Sequence, residues 1–343
     1  MDIKVKKYGF PLFTHEEPTG YLHGNKEEIL VSDLWSFWIF LIKQWSKKQK
    51  KGVSSFLLSL LEQSKFFYEA AEKAPLNSKP LLYYYSFLNL GKIIITMRGK
   101  SGTTPQNKVF NHGISADPKK NSIAIKSMQG SNCISVGYHL MNCFGDNVAS
   151  GTPTTIDIFD AMENCLGIHK PYCLVMSQKK ENFIKITGID LSKEGRELVA
   201  RLYLKSTNQL TDQIYSINQH NNKVYWEERI PIRHSKPTKK EIYDLSQQII
   251  QKGIWTYTDG KEYKMYVSSN TKARYTSASL IYCLMFFFGS ITRYHPHLFE
   301  TFSSNKRKWL VAEFLQTQPK QFLYISTSLA AEAYVTLPKE TRL

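Results

Sequence analysis

At 343 residues, 42% of them hydrophobic and 13% aromatic, the chain can form two domains or one core with a large insertion, and its composition excludes a disordered protein. Its 45 Lys and Arg against 29 Asp and Glu leave a formal charge of +16, which favours a polyanionic partner, nucleic acid first and an anionic membrane surface second. The five cysteines (Cys133, Cys143, Cys165, Cys173 and Cys283) form no CxxC pair, which argues against a zinc ribbon or a disulfide framework and for a reducing compartment.

The first 26 residues read as irregular, punctuated by Pro11, Pro18, Gly20 and Gly24, with no apolar signal-peptide stretch; the expected location is the cytoplasm. Helical character begins near Glu27. Trp35, Phe37, Trp38, Ile39, Leu41, Ile42 and Trp45 predict a mostly buried helix that gives way to the lysine-rich run 47–51. Phe56, Leu57, Leu60, Leu61, Phe67 and Ala71 recur at three-and-four spacing and predict a second helix over 53–73, ended by Pro75. The third segment, SKPLLYYYSFLNLGKIIITMRG, has Ser78 as a candidate N-cap, Pro80 in the first turn and Gly99 as a stop. It is apolar on most sides, so Asn89 and Lys92 must find partners or reach solvent. A basic, glycine-rich loop follows, and then Asn111-His112-Gly113, a polar step that can turn back towards the helix.

From about 120 to 235 the texture changes. NSIAIKS, NCISVGYHL, TTIDIFDAM, YCLVMS and NFIKITGIDL are short β-branched runs with period-two alternation, separated by Gly, Asn and Pro. KEGRELVARLYL fits a helix or a strand, and hairpins are expected at Asn221-Asn222 and Asp259-Gly260. Arg196, Arg201, Lys205, Arg229, Arg233 and Lys236 give this part a basic surface. A helical stretch is expected over 239–251. The segment from Thr276 to Phe299 opens with an N-cap residue and stays apolar from Leu280 to Phe288, a length that suits a buried helix and not a bilayer span. Pro296 disfavours helical geometry at His295, so a bend is expected there. Two further amphipathic helices, 305–316 and 319–335, are predicted to close the chain.

The sequence contains no GxGxxG, GxxxxGKS/T, HExxH or GxSxG signature. GKS within 98–102 lacks the upstream glycine of a P-loop and reads as a basic loop. Asp157, Asp160 and Glu163 read as a solvated acidic face, so no metal is expected, and no motif implies a cofactor. His139, His169, His220 and His234 are scattered singly. The remaining constellation comes from two nearly all-apolar helices, 78–98 and 276–292, that end in polar residues. One offers Asn89, Lys92, Arg98 and, downstream, His112; the other offers Arg293, Tyr294, His295 and His297. Arg and His near a helix end can simply complement its dipole. They can also cleave RNA without metal, a neutral imidazole taking the proton of a 2′-hydroxyl while a guanidinium stabilises charge on phosphate.

The PLLYYY…LNL…K helix, the His112-Gly113 step and the late helix ending SITRYHPHLF resemble the YaaC-like proteins of bacteria over roughly 27–113 and 270–335. That resemblance implies helical N- and C-terminal parts flanking a more variable middle. More distantly, the YYxxxNLxK pattern and the late helix ending in Arg and His are similar to HEPN domains. This similarity implies a helical bundle, typically dimeric, whose Arg-x4–6-His motif is a metal-independent RNase site in many members and inactive in others. Here Arg293 and His297 are three residues apart, with Pro296 between them.

The expectation is an α+β protein. A helical, HEPN-like core is formed by 1–118 and 269–343, with a mixed, mostly antiparallel β insertion at 119–268. Catalytic candidates are Arg293, His297, His295 and His112; binding candidates are Asn89, Lys92, Arg98 and Tyr294. Partners are nucleic acid, RNA ahead of DNA, and a second copy or partner subunit, with no membrane. The functional expectation is a nucleic-acid-directed effector, an RNase of phage defence or a toxin-like system. The alternatives are a non-catalytic nucleic-acid- or protein-binding scaffold subunit, and a small-molecule enzyme using the His cluster.

Overall fold

The structure, a computed structural model, describes residues 5–6, 28–98, 109–127, 132–177, 181–205, 217–220, 223–234, 237–238, 241, 244–245, 248–249, 254–258, 263–267, 275–304 and 306–336. The rest of the irregular N-terminal stretch, the basic loop at 99–108 with its GKS, Lys236 and most of the helix expected at 239–251 lie outside the described residues. So do the turn residues Asn221-Asn222 and Asp259-Gly260. In chain order the elements are β1 (Val5–Lys6), β2 (Glu28–Leu30), α1 (Leu34–Ser46), α2 (Val53–Lys73), α3 (Lys79–Arg98), β3 (Val109–Asn111), β4 (Ile114–Asp117), β5 (Ser122–Ile125) and β6 (Cys133–Ser135). Next come α4 (Val136–Cys143), β7 (Thr154–Asp157), α5 (Ile158–Asn164), α6 (Leu166–Val175), β8 (Phe183–Glu194), β9 (Glu197–Leu204), β10 (Ile217–His220) and β11 (Lys223–Pro231). The chain closes with β12 (Ile254–Thr258), β13 (Tyr263–Val267), α7 (Ser277–Tyr294), α8 (Pro296–Phe302), α9 (Lys306–Ala331) and β14 (Tyr334–Thr336). The fold is α+β, as the alternation of periods implies.

The chain divides into two compact units, one of Met1–Glu27 with Lys180–Arg274 and one of Glu28–Lys179 with Tyr275–Leu343. In the first, the strands run in the order β10-β11-β9-β8-β13-β12, antiparallel throughout, and β1 joins β8 in parallel. The ambiguous KEGRELVARLYL is strand: Gly195, at φ +60°, turns β8 into β9 with Glu194 opposite Glu197. A buried cluster including Leu198, Leu202, Trp226, Ile230, Leu245 and Ile249 forms its core. The basic surface expected here is in part neutralised. Arg201 pairs with Glu194 at 2.5 Å and Glu227 at 2.6 Å, and Arg229 with Glu227 at 2.6 Å and Glu197 at 3.1 Å, because cross-strand register puts these carboxylates beside the guanidiniums.

The second unit is helical, with three small sheets: β14-β2 and β3-β6, both parallel, and the antiparallel β4-β5-β7. Several sequence expectations shift here. Residues 28–30 are strand, and α1 starts only at Leu34, where Asp33 accepts from the backbone of Ser36. YCLVMS lies in α6 and at its end, so its brief alternation is one face of a helix. The two helices expected at the end are one, α9, with Pro319 inside; Phe314 and Phe322 are both buried, and that packing outweighs one lost backbone bond.

The two all-apolar helices pack on each other. Tyr282 and Phe286 of α7 lie 6.0 and 5.1 Å from Tyr84 of α3, centroid to centroid, and Gly289 comes next on the same face. A Cβ on Gly289 would sit 3.3 Å from Leu81 Cα and from Pro80 O, so a side chain here would force the two helices apart by a few tenths of an ångström. Thr276 caps α7, accepting from Ser279 N, and is held by Asp146, which accepts from Thr276 N at 2.8 Å and Thr276 Oγ1 at 3.0 Å. Burial pushes the Asp146 carboxyl up to about 6, against the lowering effect of bonds from Ser279 and Thr276.

Two outcomes are expected. Gly289→Val should lower unfolding stability by about 1–3 kcal/mol through overpacking, and an unchanged denaturant midpoint would contradict the close crossing. Asp146 binds its proton more tightly folded than unfolded, so its contribution is present below pH 4 and lost as pH rises through 6. Asp146→Asn should flatten the pH dependence of melting over that window, recovering at most about 3 kcal/mol near pH 7.

Candidate functional site

The end of α7 and the outer face of α3 meet at a run of three tyrosines. Successive helical residues point about 100° apart, so neighbours in the run serve different partners. Tyr83 faces Tyr68 and the core. Tyr84 is buried against α7 and its hydroxyl makes a short hydrogen bond to His112 Nδ1. Tyr85 is half-buried and its hydroxyl accepts from Arg293 Nη1 at 2.6 Å. The tyrosine run thus joins His112 and Arg293, which are 181 residues apart, to one helix.

His112 is placed by the residue after it. Gly113 has φ +62°, and a Cβ there would lie 2.7 Å from Ser135 Cβ and 2.9 Å from Ser135 backbone atoms. Only glycine fits so close an approach. The carbonyl of His112 accepts from Gly137 N at 2.8 Å, at the start of α4. Its ring stacks on Tyr84 at 5.7 Å and lies 6.5 Å from Phe286, with its outer side open to solvent. Partial burial, then the charges of Lys92 and Arg293, hold the imidazole below its usual range, so it is neutral at pH 7. Burial likewise holds the Tyr84 hydroxyl protonated.

Along α3, Tyr85, Asn89 and Lys92 follow at four and three residues and share a face. Lys92 Nζ donates to Asn89 Oδ1 at 3.1 Å and stands 6.0 Å above the Phe110 ring. Burial lowers the Lys92 pKa. Asn89 also reaches Gln63 of α2 at 3.5 Å. Among the described residues neither Lys92 nor Arg293 has a carboxylate within ion-pair distance. The Arg293 guanidinium is exposed, held by Tyr85 and lying 5.0 Å from the Tyr294 ring centre.

The structure therefore brings together His112, Arg293, Lys92, Asn89 and Tyr294. It does not bring in the others. His295 ends α7 with φ −142° and ψ 58°, and Pro296 is the first residue of α8, so Arg293 and His297 belong to different helices. The rings of His295 and His297 are exposed and 6.3 Å apart. Arg98, about 20 Å along α3 from Tyr85, donates to the carbonyls of Leu329 and Ala330 and pairs closely with Glu332, clamping the end of α9. Tyr84, Tyr85 and Gln63 escaped sequence reading. The first two were legible as adjacent tyrosines on a helix that must face two ways, whereas nothing local marks Gln63. Among the described residues no group of three or more His, Cys, Asp or Glu could hold a metal ion. Asp157 caps α5, accepting from Phe159 N and Asp160 N, and Glu163 is buried. His169 is buried too, bonded through Nδ1 to the Glu163 carbonyl.

The fold and this cluster define an α+β protein with a split helical unit and a cationic, aromatic cluster along its third helix. The chain belongs to the YaaC-like protein family, whose model matches residues 25–329. No curated protein and no solved structure matches it. No helix among the described residues is long and apolar enough to cross a membrane.

Titration of His112 followed by NMR should give a midpoint below 6.5. Lys92→Met should move it upward; an unmoved midpoint would separate Lys92 from the imidazole.

Proposed function

We propose that this cluster binds RNA and cleaves it without a metal, with His112 as general base and Arg293 and Lys92 as phosphate ligands. The observation that carries the reading is a neutral, solvent-reached imidazole that feels the charges of two cations, neither of which has a carboxylate partner among the described residues. Such cations suit a phosphodiester, and the neutral ring suits proton abstraction.

In this reading Nδ1–H of His112 donates to the Tyr84 oxygen, which leaves the lone pair of Nε2 for substrate. Nε2 takes the 2′-hydroxyl proton as the 2′-oxygen attacks phosphorus. The P–O5′ bond breaks, giving a 2′,3′-cyclic phosphate and a 5′-hydroxyl whose proton comes from water. Arg293 and Lys92 stabilise the charge that builds on the phosphoryl oxygens. Asn89 orients Lys92, Tyr294 backs Arg293, and His295 and His297 contact the strand outside the cleaved bond. The distant HEPN resemblance supports the chemistry with a different histidine as base. An RNase of this kind would serve as an effector in phage defence or a toxin-like system.

Labelled RNA incubated with the protein in EDTA should be cut to cyclic-phosphate ends. His112→Ala and Arg293→Ala should each slow cleavage by about 100-fold or more with melting unchanged, and His297→Ala by less. Cutting that persists in the His112→Ala, Arg293→Ala double variant would overturn the assignment. Binding without cutting would make the cluster that of a non-catalytic RNA-binding subunit.

A further inference from the structure

Two aromatic pairs mark the ends of the strip between α2 and α3. At one end Phe56 of α2 stacks on Phe110 of β3, centroids 6.5 Å apart and planes within 5°, with Lys92 over Phe110. At the other Phe67 of α2 packs on Tyr85 of α3 at 5.4 Å, with Arg293 on the Tyr85 hydroxyl. The Gln63–Asn89 contact bridges the two helices between them. Phe56, Gln63 and Phe67 recur at seven and four residues, so one side of α2 faces this strip throughout. The same helix buries Leu57, Leu61, Ser64 and Tyr68 on its inner side, so these two phenylalanines are not simply core residues: Phe56 is 36% exposed and Phe67 only half-buried.

We infer that the strip is a track for single-stranded RNA, with unstacked bases lying on the two aromatic pairs and phosphates on Lys92 and Arg293. The inference rests on the RNA-cleaving reading above and adds the strandedness of its substrate. Phe56 and Phe67 are eleven residues apart, about 16 Å along α2. That distance spans a few extended nucleotides, with His112 near enough to both cations to feel their charges. Ring faces can receive a base only where the base is unpaired and unstacked; a duplex hides them and offers phosphates to a broad basic surface instead. The two cations on this strip, counted among the described residues, are too few for that second mode.

The test uses the full chain as His112→Ala, so that bound RNA stays intact. Fluorescein-labelled eight-nucleotide oligo(U), an RNA duplex of the same length and oligo(dT) are titrated at about 50 mM salt. The single strands should bind at least tenfold more tightly than the duplex, with oligo(dT) comparable to oligo(U) because stacking ignores the sugar. Phe56→Ala and Phe67→Ala should each weaken oligo(U) binding about fivefold or more. With two phosphate contacts, log K against log salt should slope at about −1.4. Equal binding of the duplex, or a slope several times steeper, would overturn the track while leaving RNA cleavage standing. Preference for single strands untouched by either phenylalanine substitution would also overturn it. Failure to bind any RNA would remove both readings.

Discussion

The crossing of α3 and α7 at Gly289 is the contact on which the site depends. Neither helix has a polar face wide enough to live in water, so each must be covered, and the missing side chain at Gly289 lets α7 lie directly on the backbone of Pro80 and Leu81. That depth sets everything beyond it. It presses Tyr282 and Phe286 on Tyr84, and it brings Arg293 within reach of the Tyr85 hydroxyl one turn later. A wider crossing would leave Tyr85 without its guanidinium and Tyr84 without its packing, and the ring of His112 would lose its support.

The excess positive charge is used in two ways. On the sheet of the first unit, Arg201 and Arg229 are surrounded by Glu194, Glu197 and Glu227, and both guanidiniums are held more firmly protonated by those bonds. Such exposed or half-exposed networks order a surface and offer little to an anion. In the helical unit the charges of Lys92 and Arg293 are set against neutral partners, a carboxamide and a phenol. Their fields therefore reach outward, and they add to the partial burial that depresses the basicity of His112. Net charge alone does not distinguish these arrangements; pairing does.

The sequence made the helices legible wherever burial wrote a clear period. α2 starts at Val53 and ends at Lys73 as its apolar spacing implies, and Thr276 and Pro296 mark the ends of the α7 segment by capping and by ring geometry. Short runs were harder. SVGYHL and YCLVMS look alternating over six residues, yet both lie in or at the end of helices, because a helix face and a strand face cannot be told apart over so few positions. In the site, His112, Asn89, Lys92 and Arg293 were visible as polar residues in apolar surroundings. Arg98 had the same appearance and turned instead to the carbonyls of a helix more than 200 residues later, a pairing no local pattern encodes. His297 was a candidate beside Arg293 although its spacing departs from the HEPN pattern, and Pro296 starts a new helix between them, in line with the bend expected there.

The order in which the chain is made bears on that crossing. Residues 28–98 leave the ribosome with the tyrosine run complete but its covering helix unmade, and Lys180–Arg274 can assemble as a compact unit in the interval. At roughly 5–20 residues per second, Arg293 follows Arg98 by about 10–40 s, and only afterwards can β14 pair beside β2. During that interval the nascent chain carries His112 without Arg293. A half-made molecule therefore holds the tyrosine run uncovered, and its contacts to α7 close only after Arg293 has been added.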